Sequence, residues 1–240
     1  MLGGSTTTAY GGGGGGSDRS DNGNGWPSKI TADIVIGCGG GAGAWLIGTQ
    51  TSEYYTDGQG CYGGTGAGNN VNGGTGGGGG ALTPGQNATS SRSGDGGEGV
   101  TNSITGVAEV YGSGGGGNMN ATTPSHGGTN AGDGAATEGG GDGVDGTGGG
   151  GGGGISGNAI LGGRGGSGIA VLSFLPGDQL NYRDEYILTP DKTVRRIDLP
   201  GRTVYVFTNV ADEAVQVTAL KRFKVRQALV VGGGGGGGKS

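Results

Sequence analysis

The sequence predicts a mainly β protein in which a glycine-rich, polyproline-II-like (polyglycine II) bundle is joined to a small antiparallel β-sheet or sandwich, with almost no helix. Glycine supplies 71 of the 240 residues, which is several times ordinary usage. The glycine-rich part shows no apolar period of an amphipathic helix. After Gly168 the chain instead contains short β-branched segments separated by turn residues, a pattern typical of antiparallel strands.

Glycine and charge divide the chain at about the same place. The first 175 residues hold 62 of the 71 glycines and carry 4 basic against 12 acidic residues, whereas the remainder carries 10 against 7. Opposite charges of this kind attract within or between molecules over about 10 Å at ordinary salt. We therefore expect a glycine-rich bundle with short strands over residues 1–168 and a sheet over 169–231. The C-terminal segment 232–240, which contains the last glycine run, is expected to insert into the same or a neighbouring bundle.

Strands are expected at several positions. In the glycine-rich part they are 30–36, 45–47 and 104–111; in the later part they are 169–175, 193–199, 203–208, 214–220 and 223–231. The last is the most regular, because Leu229 and Val231 alternate with outward-facing residues that include Lys224 and Arg226.

The glycine runs suggest extended segments packed side by side. A polyproline II segment rises about 3.1 Å per residue without internal hydrogen bonds, so its peptide groups must bond to neighbours. A flexible linker is the alternative interpretation of such composition. Against it, apolar residues stand directly beside the runs. We expect the run 232–238 to be ordered, with 11–16 and 148–154 as its neighbours.

Three segments resemble the glycine-rich domains of phage tail proteins and bacterial surface proteins: TVYVFT at 203–208, LVVGGGGGGG at 229–238 and GGRGGSGIAVL at 162–172. The resemblance implies that the strands and the LVV-glycine segment precede the glycine-rich body, whereas here they follow it. The chain is then a circular permutant that closes on itself, one period of a longer repeat, or a subunit whose residues 230–240 enter the next subunit. We favour the third, because such donated strands complete a neighbour's sheet and an open head-to-tail contact produces a filament.

The expected function is therefore that of a structural subunit of a self-assembling extracellular fibre, whose partner is another copy of itself. The residues expected to make the assembly contact are Leu229, Val230, Val231, Gly232, Gly235 and Gly238. The alternative is a phage tail-fibre tip or a bacterial adhesin that binds a cell-surface receptor through polar loops. Its expected anchors are the aromatic residues Trp26, Tyr54, Tyr55 and Tyr62.

Other kinds of site are not expected. Residues 233–240 match a phosphate-binding G-x-x-x-x-G-K-S pattern, but such a loop needs a helix after Lys239-Ser240, and a glycine run satisfies any glycine pattern. The basic segment 221–226 lacks the interleaved aromatic residues of a nucleic-acid surface, and no apolar run has membrane-spanning length.

With His126 as the single histidine, we expect no enzyme activity, no cofactor and no metal. Cys38 and Cys61 are either free thiols or, in an exported protein, a disulfide.

Overall fold

The computed structural model describes residues 35–36, 60–67, 74–118, 125–135, 139–154, 161–175, 180–182, 193–208, 217–219 and 225–238. Within them the strands are β1 (Val35–Ile36), β2 (Val100–Asn102), β3 (Glu109–Tyr111), β4 (Ile169–Phe174), β5 (Leu180–Tyr182), β6 (Thr193–Leu199), β7 (Arg202–Thr208), β8 (Val217–Ala219) and β9 (Gln227–Val231). These residues contain no helix. The prediction of a mainly β protein with almost no helix is confirmed.

Five of the strands form one sheet in the order β1-β9-β4-β7-β6. β4 lies between β7 and β9 and is antiparallel to both. A tight turn at Pro200 and Gly201 joins β6 to β7, and Gly201 adopts a φ of 77°, which glycine accepts without steric cost. β1 comes from the glycine-rich part and pairs with β9 in parallel. The sequence had suggested an antiparallel sheet, and this one pairing departs from that expectation.

The main apolar core lies on one face of this sheet. Val171, Val204, Val206, Leu229 and Val231 are buried there. Ile104 and Tyr111 of the glycine-rich part pack against them. A core shared in this way joins the sheet to the glycine bundle, since neither part buries these side chains alone.

The opposite face of the sheet carries a smaller aromatic cluster. Phe174, Tyr205 and Phe207 are buried, and the Phe174 and Tyr205 rings meet edge to face with centroids 6.0 Å apart, a favourable arrangement for aromatic pairs. β4 and β7 therefore bury side chains on both faces. This explains why their sequences are nearly continuous in apolar residues instead of strictly alternating.

One expected strand, 104–111, is wrong in its first half. Residues 100–111 form a hairpin of β2 and β3, and the connecting loop occupies 103–108. Asn102 Oδ1 accepts a hydrogen bond from the Ile104 N–H at 2.8 Å, and Gly106 has a φ of 93°. An Asn side chain bonded two residues ahead and a glycine with positive φ both favour a turn over a strand.

The bounds of the expected strands 223–231, 214–220 and 45–47 are compared next with the described residues of the structure. β9 begins at Gln227, so Val225 and Arg226 precede it. β8, which pairs with β5, lies within the expected strand 214–220, and the other residues of that strand lie outside the described ones. The pairing of β5 had no counterpart in the sequence-based expectations. The expected strand 45–47 lies outside the described residues.

The glycine-rich part is a bundle of extended segments that exchange main-chain hydrogen bonds at intervals of three residues. The N–H groups of Thr75, Gly78 and Ala81 donate to the carbonyl oxygens of Asn118, Gly115 and Gly112. The same interval recurs between other segments, as in the donation from Cys61, Gly64 and Ala67 to Gly80, Gly77 and Gly74. Three residues per turn with bonds only to neighbours is the geometry of polyproline II, so these segments form a polyglycine II bundle.

Small polar side chains occupy the interior of this bundle. Ser113 and Ser125 are each 1% exposed, and Thr75 and Asn118 are also buried. The Thr75 hydroxyl donates to Asn118 Oδ1 at 3.0 Å and accepts from the Asn118 N–H at 2.7 Å. Buried polar groups are tolerated when they are bonded in this way.

We predict that shortening Leu229 destabilises the whole molecule, because its side chain is 2% exposed at the junction of sheet and bundle. Leu229→Ala should lower the free energy of unfolding by about 2–5 kcal/mol. Leu161→Ala, at a residue that is 63% exposed, should change it by less than about 0.5 kcal/mol. Urea unfolding followed by circular dichroism measures both, and equal effects would contradict a core at this junction.

Candidate assembly site

The glycine tail, defined here as residues 232–238, continues directly from β9 into the bundle. β9 pairs with β4 in antiparallel register, with Val231 opposite Ile169. Because these two strands already run side by side at this point, the residues after Val231 continue alongside those before Ile169. The tail thus lies against both of the runs 148–154 and 162–168, which also bond to each other directly. We call the groove that these two runs form the tail slot.

Main-chain hydrogen bonds hold the tail on both sides of this slot. On one side the N–H groups of Gly234 and Gly237 donate to the oxygens of Gly166 and Gly163, both at 2.8 Å. On the other side the tail accepts: the Gly151 N–H donates to Gly235 O at 2.9 Å and the Gly154 N–H to Gly238 O at 3.0 Å. The tail is antiparallel to the first run and parallel to the second.

Two tail positions admit no side chain. A Cβ on Gly234 would overlap the Gly149 carbonyl oxygen, and a Cβ on Gly237 would overlap the Gly152 carbonyl oxygen. In contrast, a Cβ on Gly233 or Gly236 would stand 3.5 or 3.6 Å from its nearest neighbours, which is ordinary van der Waals contact. The slot therefore requires glycine at every third tail residue, in agreement with the polyproline II period.

The run 162–168 has matching requirements on its side of the slot. A Cβ on Gly162 would overlap Gly237, and one on Gly165 would overlap the Gly234 carbonyl oxygen. These two glycines face the tail. Glycine at both positions is a condition for the tail to enter.

Two aspartates fix the run 162–168 to the neighbouring segment 142–148. Asp142 Oδ1 accepts from the Arg164 N–H at 2.6 Å, and Asp145 Oδ1 accepts from the Ser167 N–H at 2.9 Å. The Arg164 guanidinium also pairs with both Asp145 carboxylate oxygens, at 2.8 and 3.0 Å. The hydrogen bonds from Arg164 and from the Ser167 backbone lower the pKa of Asp145 to about 2. These contacts position one wall of the tail slot.

The structure places the expected assembly residues together at this slot. Leu229 and Val231 are buried in the shared core, and Val230 is paired on one side with Val35 of β1 and on the other with Ala170 of β4. Gly235 and Gly238 accept the two hydrogen bonds described above, and the Gly232 carbonyl oxygen lies beside Gly148. The expected neighbour 148–154 forms one wall; 11–16 lies outside the described residues.

Sequence reasoning missed the other wall, 162–168, as a partner of the tail. The signal was available: this run leads directly into the strand that becomes β4, and the tail follows directly from β9. Once these two strands are known to be antiparallel neighbours, the glycine segments attached to them must also lie together.

The other expected site residues are not brought together. Trp26, Tyr54, Tyr55 and Cys38 lie outside the described residues, and Tyr62 is 51% exposed at the bundle surface. Cys61 has a free thiol, and burial raises the pKa of this group. A free thiol is one of the two expected states; the other, a disulfide with Cys38 in an exported protein, stays a prediction.

A second candidate site is a cleft of about 790 Å³ between the β2-β3 loop, residues 144–147 and the sheet. Its apolar floor contains Ile197, Leu199 and Val206, and its polar lining includes Glu109, Asn130 and Arg195. Asn130 Nδ2 donates to Glu109 Oε1 at 2.6 Å. An apolar floor with a few polar groups at the edge is the usual composition of a ligand site.

Comparisons with protein-family models, with curated proteins and with solved structures gave no match to this chain. Among the residues that the structure describes, no three His, Cys, Asp or Glu side chains are grouped as metal ligands. Over the same residues, no helix has the length and apolar character needed to cross a membrane.

We predict that one added methyl group lowers the stability of the fold at Gly234 but not at the adjacent Gly233. Gly234→Ala places a Cβ against the Gly149 carbonyl and should lower the free energy of unfolding by about 1–3 kcal/mol, the usual cost of overpacking. Gly233→Ala, where space is open, should be neutral or slightly stabilising. Urea unfolding measures both, and a loss of equal size at both positions would contradict the described seating of the tail.

We predict that the Asp145 contact stabilises the slot only above strongly acidic pH. Its pKa is depressed in the folded state, so the stabilisation is complete above the ordinary carboxyl value of about 4 and is lost as the pH falls toward 2. Asp145→Asn should lower the melting temperature at pH 7 by less than about 4 °C, because this carboxylate is exposed. The difference from the parent chain should disappear near pH 2. A constant difference across this range would exclude an electrostatic role.

Proposed function

We propose that this protein is a structural subunit of a self-assembling extracellular fibre and that the tail slot is its assembly contact. In the free chain the slot is filled by the chain's own tail. In the fibre it is filled by the tail of the neighbouring subunit, which brings its own β9 beside β4. Subunits then join head to tail, and because this contact does not close on itself, it continues as a filament.

The observation that carries this proposal is that the tail is held by main-chain bonds to two separate glycine runs. The groups that donate and accept are identical in every copy of the chain, so a neighbour's tail makes the same bonds with no change in their energy. Exchange of an identical element between copies is a low-cost route to association.

The strength of the contact also suits a durable fibre. The exchanged element includes the buried Leu229 and Val231, each worth about 1.5–3 kcal/mol on burial. It also includes the tail hydrogen bonds, each worth about 0.5–1.5 kcal/mol net, and the pairing with β4. Subunits joined in this way should separate slowly. The acidic first part and basic second part of the chain favour the same head-to-tail orientation.

A second candidate function is receptor binding by a phage tail-fibre tip or bacterial adhesin. The specific observation in its favour is the cleft beside the β2-β3 loop, with Arg195 and Glu109 near an apolar floor. In that case the bundle is a rigid frame, the tail stays in its own slot, and the protein acts as a discrete particle on a virion or cell surface.

Electron microscopy of variants at increasing protein concentration tests the proposed function. Gly234→Val with Gly237→Val blocks the tail, because both side chains would overlap the slot wall, and this tail-blocked chain should form no filaments. Gly233→Ala with Gly236→Ala changes the two positions that have room, and this control should form filaments like the parent. Filaments from the tail-blocked chain, or discrete particles from the parent at every concentration, would contradict the fibre function.

A further inference from the structure

The cleft between the β2-β3 loop and the sheet holds two charges of opposite sign that do not meet each other. Glu109 and Arg195 both line it. They come from different walls, because Glu109 lies on β3 of the glycine-rich part and Arg195 on β6 of the sheet. Neither side chain is within ion-pair distance of an opposite charge among the described residues. A ligand that carries both signs of charge complements this pair better than an anion or a cation does.

The hydroxyl group of Tyr111 lies near both charges. Tyr111 is buried in the lining of the cleft. Burial and then the charge of Glu109 raise the pKa of its hydroxyl, whereas Arg195 acts in the opposite direction. Both charges are thus close enough to act on one side chain. Asp145, the other charged residue of the lining, is already paired with Arg164 through two hydrogen bonds.

Asn130 holds the carboxylate of Glu109 in place. Its Nδ2 group donates to Glu109 Oε1 at 2.6 Å and to the Val110 carbonyl oxygen at 3.0 Å, which uses both of its N–H bonds. Asn130 has a φ of 67°, a conformation that Asn adopts more readily than most residues. Asn130 Oδ1 accepts no hydrogen bond from a described residue. This oxygen and the Glu109 carboxylate are acceptors suited to an ammonium group, which has three donors.

Arg195 supplies the complementary group for an anion. Its side chain is exposed, and the side-chain hydrogen bonds of β6 and β7 come from Arg196 and Arg202 instead. A guanidinium group presents paired N–H donors that match the geometry of a carboxylate. Because side chains alternate along a strand, Arg195, Ile197 and Leu199 share the face of β6 that forms the cleft, whereas Arg196 lies on the other face.

Most of the remaining surface of the cleft is aliphatic. Ile197 and Leu199 are half-buried and Val206 is buried. At the rim Val107 and Val144 are 69% and 49% exposed. Aliphatic side chains of a ligand would remove this surface from water, which is favourable. The volume of about 790 Å³ lies in the range of sites for drug-sized molecules, so more than one amino acid can enter.

We propose that this cleft binds a short zwitterionic peptide with aliphatic side chains. The ammonium group of the peptide bonds to Glu109 and Asn130, its carboxylate bonds to Arg195, and its side chains cover the apolar floor. The inference assigns a ligand to the cleft of the second candidate function. It does not rest on fibre assembly, since no residue of the glycine tail lines the cleft.

Calorimetric titration of the full-length chain tests this inference. The probes are Leu-Leu and Leu-Leu-Leu with free ends, the same peptides acetylated at the amino end or amidated at the carboxyl end, and Gly-Gly-Gly. At least one free leucine peptide should bind saturably. Each cap should weaken its binding about tenfold or more, because each removes a charge-assisted hydrogen bond. Gly-Gly-Gly, which has no side chains to cover the floor, should also bind about tenfold or more weakly.

Two variants assign the ends of the peptide. Arg195→Gln should remove the difference in affinity between the free acid and the amide, and Glu109→Gln should remove the difference between the free and the acetylated amine. Arg196→Gln is the matched control, because this side chain lies on the other face and pairs with Asp198. It should bind every peptide as the parent does. Urea unfolding checks that each variant folds, and Arg195→Gln, at an exposed residue, is sufficient for the test.

Three results would overturn the proposal. They are no saturable binding of either free leucine peptide, equal affinities for free and capped peptides, and equal losses of affinity in Arg195→Gln and Arg196→Gln. Filament formation by the parent and tail-blocked chains, measured without peptide, tests the tail slot separately. Failure of peptide binding therefore leaves the fibre function standing, and filaments from the tail-blocked chain leave the cleft standing.

Discussion

The structure depends on the close approach of glycine backbones. Each segment of the bundle bonds to its neighbours through main-chain groups at intervals of three residues, and the carbonyl oxygens that accept these bonds occupy the space where side chains would stand. Ordering so much glycine is costly in conformational entropy. The bundle offsets that cost only while each segment has its neighbours, so a slot without a segment leaves peptide groups unbonded. The tail slot is therefore complete only when a tail fills it.

The sheet gives the bundle what glycine cannot provide, namely a fixed register. Polyglycine segments slide past each other with little change in their contacts, because every residue is the same. The pairing of Val231 with Ile169 and the burial of Leu229 determine which tail glycine meets which oxygen. The Asp145–Arg164 pair does the same for the slot wall. Side chains at the ends of the glycine runs therefore determine the alignment within them.

Much of the fold could be predicted from local chemistry, and the rest depended on tertiary pairing. The expected strands at β4, β6 and β7 agree closely with the structure because β-branched residues and the Pro200-Gly201 turn define them locally. The loop at 103–108 was missed because its apolar residues, such as Ile104, resemble a strand while Asn102 and Gly106 specify a turn. The wall at 162–168 could not be recognised from its own sequence, since one glycine run resembles another, and the cleft brings together distant segments.

The most direct test of the account is a complementation experiment between two chains that each lack one half of the contact. One chain carries Gly234→Val and Gly237→Val in the tail, and the other carries Gly162→Val and Gly165→Val in the slot wall, whose side chains would face the tail. Each chain alone should remain free of filaments. Mixed in equal amounts, they retain one intact tail and one intact slot, and the account predicts one-to-one dimers in analytical ultracentrifugation. Two unchanged populations of monomers would contradict tail exchange between molecules.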